Sequence, residues 1–328
     1  MLQIPRERLP EDQRARHARL RDYFCDRDAD AVADGDEWRL NMHWPADPYR
    51  HVDPALADNL APWDCGLGGM AQAVRRQGRV TTALYDTWTL VSWSQWAASS
   101  GFDRTAPLTI LHVDDHRDLM SPRLFLREGG WIDPIGGGPV RVEDPSSVQR
   151  AMESGAVGMG SFLTPFLHAF PQAEVRHLCQ PPKARSTTDY RFEAGTVVDD
   201  LLEPGALRPS ITLVTEEGTG PGRYRLTPDR DHWLQDLAVG PVLLHLDMDY
   251  FNNRYDGDGD WSDRPVLLDP DRGAVMAEIR AVAGALSDRG LLAEVADAVV
   301  AYSPGFFPSE LWDEAEHTLR DNLGELYA

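Results

Sequence analysis

The chain has 328 residues, enough for one large α/β domain or for two smaller domains, each with a substantial core. Its 32 basic and 53 acidic residues give a net charge of −21, which argues against nucleic acid or a membrane surface as a partner, because both bind Lys/Arg-rich patches. Three widely spaced cysteines, a charged N-terminus and the lack of a long apolar run predict a cytoplasmic protein without a membrane span.

Residues 1–75 are rich in Pro, Asp, Arg and Trp and have only short stretches of helical periodicity. We predict that they form an N-terminal extension packed on a main catalytic domain at 76–328. In the main domain, short apolar runs alternate with segments of helical period. The predicted strands are 79–85, 108–113, 174–178, 211–215, 242–246 and 298–302, and the predicted helices are 87–99, 273–289 and 310–322, the last with Ser309 as its N-cap.

This succession of continuous apolar strands and helices is typical of an α/β fold in which helices cover both faces of a parallel sheet. In an open parallel sheet, ligands bind at the carboxyl ends of the strands. Acidic residues follow two of the predicted strands directly. We therefore expect the functional site where these two strands end.

The first acidic strand end is the segment ILHVDDHRDL at 110–119. Side chains alternate along a strand, so His112 and Asp114 are predicted to share one face. His116 and Asp118 follow on the connecting loop, within reach of Asp114. His112 is expected either to support a ligand carboxylate or a proton transfer from behind, or to be a core histidine bonded to a backbone carbonyl.

The second acidic strand end is LLHLDMDYF at 243–251, where alternation places His245, Asp247 and Asp249 on one face. His245 is expected to support the site or to replace a ligand. Together the two ends bring carboxylates into one pocket, where they repel one another unless divalent cations neutralise them. A carboxylate-rich set with an imidazole suits Mn²⁺, with Zn²⁺ or Fe²⁺ as alternatives.

These segments resemble the arginase/deacetylase superfamily. DDHRD at 114–118 is similar to its D-A-H-x-D metal motif, and DMD at 247–249 is similar to the start of its D-x-D-x-x-D motif. The closer similarity is to a divergent branch that includes the peptide arginases. It rests on LHVDDHRDL at 111–119, GMGSFLTPF at 158–166, the strand end LDMDYF and the turn SPGFFP at 303–308.

The resemblance implies a three-layer αβα sandwich with a mainly parallel sheet, and a metallohydrolase that acts on C–N bonds. The implied metal ligands are Asp114, His116, Asp118, Asp247 and Asp249, with two Mn²⁺ ions as cofactor. The implied activity is that of a peptide arginase, an arginase-like ureohydrolase that converts arginine side chains of a ribosomally made peptide to ornithine and releases urea. An arginine-containing peptide is then the expected partner.

The chain departs from the arginase pattern at two places. The stretch LYDTWTL lacks the histidine that binds the second ion in arginases, and Asp86 is the candidate oxygen ligand there. The last predicted strand ends without the glutamate that holds the guanidinium group in arginases. Glu310, or an aspartate of the DGDGD loop at 256–260 such as Asp256, is the candidate substrate-binding residue.

Other functions stay open from the sequence. A site that has lost the second ion would match a single-metal amide deacetylase, with one Zn²⁺ or Fe²⁺ and release of acetate. A small-molecule ureohydrolase would act on free arginine or agmatine. A binding protein of the same fold without turnover is the third alternative, and the missing histidine favours it.

Overall fold

The structure is a computed structural model that describes residues 2–46, 51–215, 218–256 and 269–328. Its strands are β1 (Leu2–Pro5), β2 (Asp28–Asp34), β3 (Glu37–His43), β4 (Val74–Gln77), β5 (Val80–Ala83), β6 (Thr109–Val113), β7 (Phe125–Arg127), β8 (Gly130–Ile132), β9 (Pro139–Val140), β10 (Glu174–Leu178), β11 (Thr188–Val198), β12 (Leu207–Val214), β13 (Gly222–Thr227), β14 (Val242–Asp247) and β15 (Val295–Ala301). Its α-helices are α1 (Gln13–Phe24), α2 (Leu56–Asn59), α3 (Trp88–Ser100), α4 (Pro145–Ser154), α5 (Leu163–Ala169), α6 (Arg230–Trp233), α7 (Arg272–Asp288), α8 (Trp312–Asn322) and α9 (Gly324–Tyr327).

The middle layer of the main domain is a sheet that contains nine strands within the described residues, in the order β12-β11-β13-β10-β6-β14-β15-β5-β4. The strands from β13 to β5 run parallel to one another. Antiparallel strands lie at both edges, β11 and β12 at one and β4 at the other. The prediction of an α/β fold with a mainly parallel sheet is confirmed.

Helices pack on both faces of this sheet, which makes the main domain a three-layer αβα sandwich, as predicted. Leu244 and Val300 enter the core under α7 and α8. Leu243 and Val299 enter the opposite core, under α3, α4 and α5. Successive residues of one strand point to opposite faces, and both faces are buried. Both sets of residues are therefore apolar, which explains why the sequences of these strands are continuous apolar runs.

Residues 2–43 form a small unit of their own, a sheet in the order β1-β3-β2 to which α1 is added. Its core contains Trp38 and also Leu201 of the main domain. The hydroxyl of Tyr23 donates a 2.6 Å hydrogen bond to Oδ1 of Asp199. Apolar and polar contacts thus hold this N-terminal unit against the sandwich.

The antiparallel edge formed by β11, β12 and β13 was predicted only in part, since the sequence indicated a strand at 211–215 alone. Half-buried residues dominate β11 and β12, and exposed ones lie between them. An edge ribbon with one solvated side alternates polar and apolar residues and lacks the continuous apolar run of a central strand. The signal of a buried strand is therefore absent from this region.

The prediction that Ser309 caps the last long helix is wrong. Residues Ser309–Leu311 form a 3-10 turn, α8 begins at Trp312, and no side chain caps it. The backbone N–H of Ser309 donates instead to Oδ2 of Asp53, at 2.8 Å. No helix within the described ranges is long and apolar enough to cross a membrane.

Candidate metal centre

A cavity of about 870 Å³ opens where β6 and β14 end, which is the place that a parallel sheet offers to ligands. Acidic side chains from several strand ends line it together with apolar ones. The acidic residues are Asp26, Asp86, Asp115, Asp118, Asp247 and Asp249, and the larger apolar or aromatic ones are Tyr85, Leu119, Met120, Met159, Leu226 and Phe306. The cavity therefore combines a negative lining with walls that can contact methylene groups.

A row of buried histidines lies under the two acidic strand ends. His177 on β10 and His245 on β14 are both in register with His112 on β6. Because neighbouring parallel strands in register present the same face, the three rings pack together, with 4.5 Å between the centroids of His112 and His177 and 5.0 Å between those of His112 and His245.

The hydrogen bonds of this row determine which nitrogens carry protons. His112 Nε2 lies 3.1 Å from the backbone carbonyl oxygen of His116, so this nitrogen is the donor. His112 Nδ1 must then accept from Nδ1–H of His245, at 3.0 Å. Burial lowers the pKa of both rings, which favours their neutral forms.

His177 was missed by the sequence analysis. Its Nε2 donates to the backbone carbonyl of Asp114 at 2.9 Å, and its Nδ1 accepts from the hydroxyl of Tyr224 at 2.7 Å. The segment EVRHL was predicted as a strand, but only the register with β6 reveals that His177 supports the first acidic strand end.

Buried and half-buried histidine and aspartate side chains at these strand ends form groups that can hold a metal ion. In each group, one potential ligand atom per residue lies within 4.8 Å of the others. Among the described residues these groups are His112, Asp114, Asp118 and His245; Asp114, His116 and Asp249; and Asp115, His116 and Asp256.

The two acidic strand ends contact each other directly. His116 Nδ1 lies 2.9 Å from Oδ2 of Asp249 and 3.6 Å from Oδ1 of Asp114. The backbone N–H of Asp115 donates to Oδ1 of Asp249 at 3.1 Å. Asp118 joins this cluster through the carboxylate that lies 3.7 Å from Nε2 of His112.

Asp247 and Asp86 line the cavity but belong to none of the groups above. Asp247 accepts hydrogen bonds from the hydroxyl of Ser303 at 2.6 Å and from the backbone N–H of Asp249 at 3.1 Å. Asp86 accepts from the backbone N–H of Gly160 at 2.9 Å. Ser303 and Gly160 lie in segments quoted for the resemblance, SPGFFP and GMGSFLTPF, yet their role as hydrogen-bond donors was not predicted.

Several buried carboxylate oxygens at these strand ends lack a hydrogen-bond donor, which bears on whether a cation fits the site. Within the described residues, Oδ1 of Asp86, Oδ2 of Asp114 and Oδ2 of Asp118 have no hydrogen-bond partner. A buried carboxylate oxygen without a partner is costly, and a divalent cation would compensate it. Carboxylates with an imidazole are a ligand set that suits a divalent metal ion. The residues present therefore fit a metal.

The electrostatics of the cluster agree with this fit. Burial raises the pKa of Asp86, Asp114 and Asp247 well above its ordinary value, and the charges of neighbouring carboxylates raise it further. At His116 burial acts to lower the pKa, but Asp249 and the carboxylate hydrogen bonds outweigh burial and raise it well above its usual value. Without a metal, these buried carboxyl groups therefore retain protons, and a divalent cation would stabilise their charged forms instead.

The residues suggested for substrate binding lie in different places. Glu310 is paired with Arg254 and is not among the described residues that line the cavity. Asp256 lies 3.1 Å from Nε2 of His116, beside the cluster. The other aspartates of the DGDGD loop, Asp258 and Asp260, lie outside the described residues.

Comparisons with known proteins were made for the whole chain. Neither a protein-family model nor a curated protein matches it. The resemblance to the arginase/deacetylase superfamily stays a prediction, and the function proposed below rests on the geometry of the site.

Proposed function

We propose that this protein is a metal-dependent hydrolase of guanidinium C–N bonds, and specifically a peptide arginase. The observation that carries the proposal is the convergence of carboxylates from three strand ends on one cavity, with several of their buried oxygens left without a donor. Asp86 follows β5, Asp118 lies on the loop after β6 and Asp247 ends β14. Such a cluster is suited to bind cations, and both a divalent metal and an arginine side chain are cations.

The metal would be held by the residues of the two acidic strand ends, which are Asp114, His116, Asp118, Asp247 and Asp249, with Asp86 beside them. When bound, Mn²⁺ supplies Lewis-acid activation of water for hydrolysis. His112 and His245 lie behind these ligands, at 3.8 Å and 3.7 Å from Oδ2 of Asp114. The ring nitrogens nearest to this carboxylate are hydrogen-bonded elsewhere, so the two rings limit its position by packing against it.

The chain's own side chains would bind and orient the substrate. The negative lining attracts a guanidinium group, and the low polarity around it strengthens that attraction. Tyr85, Met159 and Phe306 line the same cavity and can contact the methylene groups of an arginine side chain. In the net reaction, water cleaves one C–N bond of the guanidinium group, urea leaves with the carbon, and the side-chain nitrogen remains as the amine of ornithine.

A peptide is supported as substrate by the way the cavity is built. Residues before the sandwich, among them Arg21, Asp26 and His51, line the cavity together with the strand ends of the main domain. Its volume of about 870 Å³ lies near the upper end of typical small-molecule pockets, which are about 300–1,000 Å³. The opening therefore has room for residues beside the reacting arginine.

The test is a mass-spectrometric assay of arginine-containing peptides with added Mn²⁺. We expect a mass decrease of one CH₂N₂ unit per converted arginine and one equivalent of urea, both absent with Asp114→Asn or Asp247→Asn. Acetate release from acetylated lysine peptides in the presence of Zn²⁺ would instead identify an amide deacetylase. Turnover of free arginine or agmatine without peptide turnover would identify a small-molecule ureohydrolase. Metal binding without turnover of any of these substrates would indicate a binding protein of the same fold.

A further inference from the structure

Lys183 is the only lysine of the chain, whose other basic residues are all arginines. Its ammonium nitrogen lies inside the third group of potential metal ligands, formed by Asp115, His116 and Asp256. Nζ is 2.7 Å from Oδ2 of Asp115, 3.1 Å from Nε2 of His116 and 3.6 Å from Oδ1 of Asp256. A positive charge of this chain thus occupies the position that a metal ion would take.

The contact between Lys183 and Asp115 is more buried than an ordinary surface ion pair. The Asp115 side chain is only 2% exposed, and that of Lys183 is 35% exposed. Asn253 donates a 2.6 Å hydrogen bond to the same oxygen of Asp115 that Lys183 contacts. An ammonium group is a compact cation with three donors, whereas a guanidinium group is a wide planar fork. The ammonium group therefore resembles a single ion in size, and its positive charge is the property that the test below removes or keeps.

The two nitrogens of His116 face different neighbours. Nδ1 faces Asp249 and Asp114, in the group that can hold a metal. Nε2 faces Asp256 and Lys183. With Nδ1 as a ligand, Nε2 carries the proton and donates it to Asp256. The ammonium of Lys183 has no acceptor, so it then donates to Asp115 and its contact with Nε2 is not a hydrogen bond.

We propose that Lys183 is a positioning residue that acts as the resident cation of the group Asp115, His116 and Asp256. Its charge excludes a divalent ion from this group by repulsion and restricts metal binding at His116 to the Nδ1 side. The proposal concerns where the metal binds and does not depend on which reaction the centre performs.

The test counts Mn²⁺ ions per chain by native mass spectrometry at one free Mn²⁺ concentration. We expect Lys183→Met to bind one ion more than the wild type, and Lys183→Met/Asp256→Asn to lose that additional ion. Lys183→Arg keeps the positive charge and is the matched control, with the wild-type number of ions. If Lys183→Met does not fold, acetylation of the folded wild type removes the same charge, because this lysine is the only side-chain amine.

The outcomes separate this inference from the proposed function. An unchanged ion count in folded Lys183→Met, or in the acetylated protein, overturns the inference whether or not urea is formed. A wild-type count that falls on Asp256→Asn alone also overturns it, because an ion would then already occupy the group. An additional ion in Lys183→Met, together with no urea from any peptide, supports the inference and refutes the proposed function.

Discussion

His116 Nδ1 lies 2.9 Å from Oδ2 of Asp249, and this contact joins the loop after β6 to the turn after β14. The two residues are 133 positions apart in the chain. Both strands run parallel and in register, so their carboxyl ends meet at the same edge of the sheet. The acidic residues that follow each strand therefore form one cluster.

Asp114→Asn is expected to abolish metal binding at the centre while stabilising the metal-free protein. Asn keeps an oxygen to accept the 2.5 Å hydrogen bond from the N–H of His116 and, unlike Asp114, carries no charge in the buried site at any pH. We expect Mn²⁺ affinity to fall by more than the roughly 10–100-fold typical of supporting residues. Calorimetric melting with and without Mn²⁺ measures both effects, with the exposed Asp30→Asn as control. If Asp114→Asn binds Mn²⁺ with wild-type affinity, Asp114 is not a metal ligand.

Mn²⁺ binding is expected to strengthen as pH rises. Asp86, Asp114 and Asp247 have raised pKa values, so the folded metal-free protein holds protons that the unfolded chain loses above about pH 4. The stability of the metal-free protein therefore falls as the pH rises toward these pKa values, and Mn²⁺ must displace the protons. At 100 times its dissociation constant, a ligand adds about 2.7 kcal/mol to the free energy of unfolding.

We expect the Mn²⁺-induced increase in melting temperature, at fixed total Mn²⁺, to be larger near pH 8 than near pH 6. Titration calorimetry in buffers of different ionisation enthalpy measures the protons released on binding. Equal temperature shifts at both pH values, with no proton release, would contradict the prediction.

Ser303→Ala is expected to weaken metal binding with little effect on the fold. Its hydroxyl donates the 2.6 Å hydrogen bond that orients Asp247, and no other side chain of the described residues is seen to do so. Loss of such a supporting bond reduces metal affinity by about 10–100-fold, whereas the free energy of unfolding falls by only about 1–2 kcal/mol. Equilibrium dialysis with Mn²⁺ measures the first effect and urea unfolding the second.

Ser94→Ala is the matched control for Ser303→Ala. Ser94 is also buried, but its hydroxyl donates to the backbone carbonyl of Val142, outside the residues that line the cavity. We expect it to change stability by a similar amount and to leave Mn²⁺ affinity at the wild-type value. An equal loss of affinity in both variants would mean that the effect of Ser303→Ala comes from general destabilisation.

Tyr23→Phe is expected to loosen the N-terminal unit from the sandwich. It removes the buried 2.6 Å hydrogen bond to Asp199 and leaves that carboxylate short of a donor, which costs about 1–3 kcal/mol. Urea unfolding followed by tryptophan fluorescence measures the loss. Tyr190→Phe is the control, since Tyr190 is half-buried and its hydroxyl has no hydrogen-bond partner within the described ranges. Equal stability of the two variants would contradict the proposed contact.

Much of the fold was predictable because its signals are local. The apolar runs at 108–113 and 242–246 became β6 and β14 with almost the predicted limits, and the acids after them lie at the cavity. Alternation along a strand correctly placed His112 beside Asp114. The limits of α7 and α8 also differ little from the predicted helices, because helical periodicity is a property of neighbouring residues.

The contacts that give the centre its chemistry depend on tertiary structure. The register of three strands places His177 and His245 on either side of His112, and the fold brings Ser303 to Asp247. No pattern of neighbouring residues in the sequence predicts that Glu310 pairs with Arg254 or that the ammonium of Lys183 lies beside His116.

By itself, the sequence determined that two buried strands end in carboxylates and that their common edge would be acidic, because side-chain alternation and apolar runs act over a few residues. Only the tertiary structure decided which oxygens keep a donor, which remain without one and which cation lies beside His116. These properties depend on contacts between residues that are far apart in the chain. Such contacts form only when folding fixes the register of the sheet and buries each charged group.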